Sequence, residues 1–224
     1  EYLYRNQYIK FLKLQDFNFQ LPKELIASFP LKERSQSKLL VLENFITDNL
    51  FRDLPQLLKP NDVLVINDTA VFNARFFGKK GSGSRVEILI ERVIGKNLVT
   101  AQTKSSSKLK KGDKIFLSKK GPFLTLINQG PKVLEFEFSL PVKEAIKLYG
   151  NVPLPPYIKR EATELDLQRY QTIYADLKKC HSVAAPTAGL HFDQSLLDSL
   201  ETKGVKIAKV TLNVGMGTFK PIRE

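Results

Sequence analysis

Between Asp62 and Ser139 the chain repeats one short pattern, a run of β-forming residues followed by a cluster of turn formers. The runs are Val63–Ile66, Val71–Phe77, Arg85–Val93, Leu98–Gln102, Lys114–Leu117, Phe123–Ile127 and Val133–Phe138. Turn signals punctuate them at Gly78–Gly83, Gly95–Asn97, Lys111–Asp113 and Asn128–Pro131. Helical periodicity is absent, so an antiparallel barrel or sandwich is the natural reading.

The flanking segments have a different texture. Before the β run, alternation at Phe17–Leu21 suggests a strand, Pro22 opens a short helix through Ala27, and Lys38–Phe45 reads as a buried strand. Asp48 is then expected to cap a helix whose Phe51, Leu54, Leu57 and Leu58 recur until Pro60. After the β run come a helix at Val142–Tyr149, a proline-rich stretch at Val152–Ile158 and a helix over Glu164–Ala175. A further helix starts at the N-cap candidate Asp193 and ends near Gly204, and Val205–Val214 reads as a strand running into the loop Gly215–Thr218. The same texture on both sides predicts a mixed αβ (α+β) fold. An antiparallel β-barrel-like domain, residues 62–139, is inserted into a mixed αβ domain made of residues 1–61 and 140–224.

The chain carries 35 Lys and Arg against 23 Asp and Glu, a formal net charge of +12, which suits a polyanionic partner. Seven of the lysines crowd into one strand-and-turn region: Lys104, Lys108, Lys110, Lys111, Lys114, Lys119 and Lys120. They could contact phosphates, or they could protect a sheet edge from aggregation. Cys180 is the only cysteine, which excludes an internal disulfide and any multi-cysteine metal site. No apolar run approaches the roughly 18 residues needed to cross a bilayer. Residues Glu1–Lys10 lack the apolar core of a signal peptide, so a cytoplasmic location with no membrane partner is expected.

Several segments resemble the S-adenosylmethionine:tRNA ribosyltransferase-isomerases of queuosine biosynthesis. Three are short: Leu21–Ala27, Leu64–Thr69 with Ala74-Arg75, and Val152–Arg160. Three carry more information: Arg169–Ala175 (Arg-Tyr-Gln-Thr-Ile-Tyr-Ala), Ser182–Phe192 (Ser-Val-Ala-Ala-Pro-Thr-Ala-Gly-Leu-His-Phe) and Val210–Phe219 (Val-Thr-Leu-Asn-Val-Gly-Met-Gly-Thr-Phe). They stand in the family's order at about the family's spacing, from about residue 13 to the end, and the match corresponds to the N-terminal two thirds of a family member. Ala70 stands where the family usually has Arg, Lys38 where Arg is usual, Asn73 where Pro is usual and Asn213 where His is usual.

The resemblance implies transfer and isomerisation of the ribosyl group of S-adenosylmethionine onto 7-aminomethyl-7-deazaguanine at the tRNA wobble position. The product is epoxyqueuosine, and adenine and methionine leave. S-adenosylmethionine is then a substrate rather than a bound cofactor, no metal is required, the partner is a tRNA with a modified wobble guanine, and the protein acts as a monomer. The sulfonium acidifies the adjacent ribose carbon, so the protein must position a base; the substrate's own amine serves as nucleophile.

His191 is the base candidate, because histidine is the residue type whose unperturbed pKa lies closest to neutrality and His191 falls within a strong motif, with Thr187 beside it; a buried, hydrogen-bonded histidine is the competing reading. Thr187 and Gly189 sit in a loop of small residues where backbone N–H groups could approach a ligand, although a tight turn would look the same. Gly215, Gly217 and Thr218 follow a strand and are expected at the substrate through the resemblance. Asn67, Asp68 and Thr69 end a strand, where polar groups either face a ligand or make a turn. Arg75, Arg160 and Arg169 could hold phosphate or carboxylate, and Tyr170, like Tyr157, offers a face for an unstacked base; surface ion pairs and packed rings are the alternatives. Two other classes compete with the enzyme. One is a catalytically incomplete tRNA-binding module. The other is a methyltransferase, whose strand and Gly-rich loop early in a doubly wound sheet is absent here.

Overall fold

The computed structural model describes residues 13–130 and 133–220. The expected absence of a signal peptide at Glu1–Lys10 lies outside the described residues, as does Pro131 of the last turn. The described chain opens with 3-10 turns at Leu14–Phe17 and Lys23–Leu25, where the sequence predicts a strand and a helix. The single buried strand expected over Lys38–Phe45 is instead a hairpin, β1 (Lys38–Leu42) and β2 (Ile46–Leu50), with Leu40, Leu42, Phe45 and Ile46 exposed. Asp48 therefore lies in a strand. The residue that closes the next turn is Asp53, whose Oδ2 accepts from Leu50 N (2.9 Å) ahead of the short helix α1 (Leu54–Leu57).

Next come β3 (Val63–Asn67) and β4 (Ala70–Val71), then six strands: β5 (Arg75–Lys80), β6 (Arg85–Val93), β7 (Leu98–Ser105), β8 (Lys114–Phe116), β9 (Phe123–Gln129) and β10 (Leu134–Phe138). These six close an antiparallel barrel in the order β10-β7-β6-β5-β8-β9. Alternation in the sequence becomes inside and outside in the barrel: Phe76, Val86, Ile88, Ile90, Val99, Ala101, Ile115, Leu124, Leu126, Phe136 and Phe138 fill the interior. Gly78 makes the closure between β5 and the short β8 possible, because a Cβ there would lie 2.5 Å from Ile115 Cγ2 and 2.9 Å from the Phe116 carbonyl oxygen. Helix α2 (Val142–Tyr149) adds Val142 and Ala145 to the barrel core.

The chain then runs through α3 (Glu164–Arg169), β11 (Cys180–Ser182), α4 (Gln194–Thr202) and β12 (Lys206–Val210). Helix α3 stops at Arg169, six residues short of the expected Ala175. Asp193 caps α4 as expected, its Oδ1 accepting from Leu196 N (2.9 Å), and Gly204 follows with a left-handed φ of 88°.

The first run, Val63–Ile66, and the start of the second, Val71, do not join the barrel, whereas Arg75–Phe77 of the second run begins β5. β3 pairs in parallel with β12, from Val63↔Lys206 to Asn67↔Val210, and β4 pairs in parallel with β11. Their partners lie more than 100 residues away, beyond what local alternation can report. A second core of Phe51, Phe192, Leu196, Leu197, Leu200 and Val205 supports the β3–β12 pair. No helix among the described residues is long and apolar enough to cross a membrane.

Candidate active site

Parallel strands point their C-terminal ends the same way, so Asn67 and Val210 finish side by side and the segments that follow them meet. Asn67 fixes the meeting: its Nδ2 donates to Leu212 O (3.0 Å), and its Oδ1 accepts from Leu212 N (3.0 Å) and Thr69 N (3.2 Å). Asp68 is 4% exposed. Its Oδ2 accepts from Lys179 Nζ (2.8 Å) and its Oδ1 from Thr211 Oγ1 (2.6 Å), and these donors hold its carboxyl below the usual carboxylate range. Thr69 is fully buried, its hydroxyl sharing a 2.7 Å hydrogen bond with Ser182 Oγ, which also accepts from Val214 N (2.8 Å). Strand ends 67–69, 182–183 and 210–214 thus form one hydrogen-bonded junction, completed by Val183 N donating to Val214 O (2.9 Å).

The junction sits between the two cores. Val183 and Met216 pack into the barrel core, whereas Tyr174 and Phe192 pack into the other. Met216 anchors a 3-10 turn (Met216–Phe219) that leaves Gly215, Gly217 and Thr218 exposed. A Cβ on Gly215 or Gly217 would meet nothing within 4 Å, so packing does not require glycine at either position, and the space above them is open. Gly189 is the opposite case: a Cβ there would collide with Tyr174 Oη and lie 2.9 Å from Thr172 Cγ2. It lets the 3-10 turn Thr187–His191 pack against the segment after α3. Thr187 is exposed on that turn. His191 stacks its ring 5.3 Å from Phe51, and its Nδ1 lies 3.1 Å from Ala188 O. A carbonyl only accepts, so Nδ1 is the donor in this contact.

The segment after α3 is tied into the same region. Gln171 acts as a surrogate strand residue: Val71 N donates to its Oε1 (2.9 Å) and its Nε2 donates to Val71 O (3.2 Å). Tyr170 lies beside the Ala185 backbone, and burial pushes its phenol up to about 12. Arg75 pairs with Glu87 (3.1 Å) and its guanidinium donates to Leu154 O (2.8 Å).

Two predicted site residues go elsewhere. Arg160 forms a bidentate pair with Asp166 (2.6 and 2.8 Å), donates to Ser28 O (2.7 Å) and lies over the Phe29 ring. Arg169 reaches Lys32 O (3.0 Å) and lines a separate cavity of about 360 Å³ with Arg34 and Asp193. Arg34 was not legible in the sequence. Its guanidinium donates to Leu190 O (2.8 Å) and Gln171 O (3.0 Å), and partners 137 to 156 residues away leave no local pattern. Gln171, Ser182, Lys179 and Thr211 were missed as well, although Gln171, Ser182 and Thr211 lie inside the quoted motif blocks. Among the described residues no group of three His, Cys, Asp or Glu side chains is placed to hold a metal.

Residues 14–224 match the sequence profile of a family described as queuosine biosynthesis protein. The chain belongs to that family. Among queuosine biosynthesis proteins it is 44% identical over 214 residues to the S-adenosylmethionine:tRNA ribosyltransferase-isomerase of Acinetobacter baylyi, covering 95% of this chain and 62% of the relative. It is 48% identical over 217 residues to the enzyme of the same name from Xylella fastidiosa, with the same shares covered. The chain therefore spans about 62% of the length of these relatives. A crystal structure of S-adenosylmethionine tRNA ribosyltransferase from Thermotoga maritima aligns with 89% of this chain and 58% of its own, at 25% identity and a TM-score of 0.36.

Proposed function

We propose that this chain carries the S-adenosylmethionine site of a tRNA ribosyltransferase-isomerase. The observation that supports it is the convergence of residues 67–69, 182–183 and 210–214, drawn from three of the motif blocks, on one junction at the ends of parallel strands, beside the open face of Gly215 and Gly217. The sulfonium nucleoside lies along that face, where the backbone of the glycine loop can approach it. The sulfonium acidifies the neighbouring ribose carbon, His191 Nε2 accepts the proton, the bond to adenine breaks, and the aminomethyl group of the wobble 7-aminomethyl-7-deazaguanine joins the ribosyl unit as methionine leaves. An unstacked wobble base is required, because the target atom is out of reach inside a stacked loop. The barrel, residues 75–138, is on this reading a unit inserted into the αβ part.

The test is adenine release from S-adenosylmethionine in the presence of tRNA bearing the deazaguanine precursor. Release is expected, and His191→Ala should slow it on the order of 100-fold or more while tRNA affinity stays within about twofold. A second reading, a tRNA-binding module without turnover, is favoured by Ala70, fully buried at a position where the resemblance leads one to expect Arg. Absence of adenine release with tRNA binding intact selects it.

A further inference from the structure

A second concavity lies on the outer wall of the barrel, an open groove of about 1100 Å³ lined by Phe77, Lys79, Arg85, Lys104, Phe116 and Lys119, among others. Strand register sets its pattern. Phe77 lies opposite Glu87, and Glu87 opposite Lys104; one step along, Lys79 lies between Arg85 and Phe116. Glu87 is already paired with Arg75 (3.1 Å), and Lys80, also in the groove wall, with Asp113 (2.7 Å). Among the described residues Lys79, Arg85, Lys104 and Lys119 form no ion pair, so their charge faces the groove unneutralised.

Edge protection does not explain Lys79 or Arg85, because Lys79 is paired to Arg85 on one side and Phe116 on the other, and Arg85 is flanked by Lys79 and by Ser106, whose N donates to the Arg85 carbonyl. Nor does it explain Phe77, a ring left 52% exposed among them. A cationic groove around an exposed aromatic face is the arrangement that holds unpaired nucleic acid, phosphates on the cations and a base on the ring. An acidic peptide has no regularly repeated flat π-face, so Phe77 is used only where an aromatic side chain happens to fall there, and a membrane surface would meet a recess rather than a flat apolar face.

We propose that this groove binds an unpaired stretch of RNA, with a base stacked on Phe77 and phosphates on Lys79, Arg85, Lys104 and Lys119. Residues two apart on a strand share a face, so Arg75, Phe77 and Lys79 form an outward stripe on β5 while Phe76 points into the core. The stripe starts at Arg75, which touches Leu154 near Tyr170, and reaches the groove at Phe77, about 7 Å further on. RNA lying along it connects the groove with the strand-end junction. The identity of the RNA as tRNA rests on the function proposed above; the groove's chemistry does not.

Binding of a fluorescently labelled tRNA transcript and of a labelled single-stranded oligoribonucleotide, followed by anisotropy across a salt series, tests the proposal. Phe77→Ala should weaken both about tenfold with the salt slope unchanged, the signature of a lost stack. Lys79→Gln with Lys104→Gln should lower the slope of log affinity against log salt by about two. Lys59→Gln with Lys206→Gln, both exposed and outside the groove, serves as the charge-matched control, and thermal melts confirm that each variant folds. Wild-type affinity in Phe77→Ala, or a groove pair no different from the control, overturns the proposal. So does loss of binding to anionic vesicles or an acidic peptide while RNA binding is retained. Adenine release in the same samples separates the two readings. Groove-dependent RNA binding without release leaves the groove standing and removes the transfer reaction, whereas release with RNA binding indifferent to Phe77 does the reverse.

Discussion

In the barrel every strand has a partner on both sides and the interior is filled by side chains from those same strands, whereas β3–β12 and β4–β11 are isolated parallel pairs. Parallel strands are usually buried on both faces. Here Leu64 and Ile66 of β3 face inward, while Val63 and Val65, with Leu212 beyond β12, remain exposed. The barrel's strand pairings all join residues fewer than 40 apart in sequence. The candidate active site depends on contacts that span 100 residues or more, such as Thr211 to Asp68 and Gln171 to Val71.

The largest stability effect that bears on this contrast belongs to the barrel core. Phe136→Ala should cost about 3–5 kcal/mol in denaturant unfolding, the range for emptying a packed aromatic site. A cost below about 1 kcal/mol would mean that the barrel interior is not packed as described.

The next effect is an acid transition. The Arg160 guanidinium, then the Thr163 backbone and hydroxyl, hold Asp166 down to about 2 from an ordinary 3.8. A carboxyl lowered by folding stabilises the protein above its unfolded value and loses that contribution as pH falls through the folded one. About 2 kcal/mol should therefore disappear between roughly pH 4 and pH 2. Asp166→Asn should flatten that part of the stability curve, and an unchanged curve would show that the pair contributes nothing.

The smallest effect is expected on the open face of the parallel pair. Val65→Ser, at a position 58% exposed, should change stability by no more than about 0.5 kcal/mol. A loss as large as that of the barrel variant would erase the contrast between the two regions.

The same contrast governs what the sequence could reveal. Barrel strands were legible because each registers as period-two alternation between turn signals, and Asp193 and Gly204 marked the ends of α4 through local capping chemistry. Val63–Ile66 and Val71 show the same alternation yet pair with strands near the end of the chain, which no window of neighbouring residues can report. The Lys38–Leu50 hairpin was missed because its apolar residues suggested a buried strand, while Leu40, Leu42 and Phe45 are exposed. Motif blocks singled out Asn67–Thr69 and Gly215–Thr218, and the structure places the first at the strand-end junction and the second in the segment that leaves it. Arg160 looked equally available, and only tertiary structure shows it consumed by Asp166 and Phe29.

Gly217→Val offers the most direct test of a ligand face above the strand-end junction, because the added side chain starts in open space on unstrained backbone. The melting temperature should stay within about 2 °C of wild type. S-adenosylmethionine affinity, measured by titration calorimetry, should fall at least about tenfold, a difference of roughly 1.4 kcal/mol. Unchanged affinity in a fully folded variant would contradict placement of the nucleoside over Gly215 and Gly217.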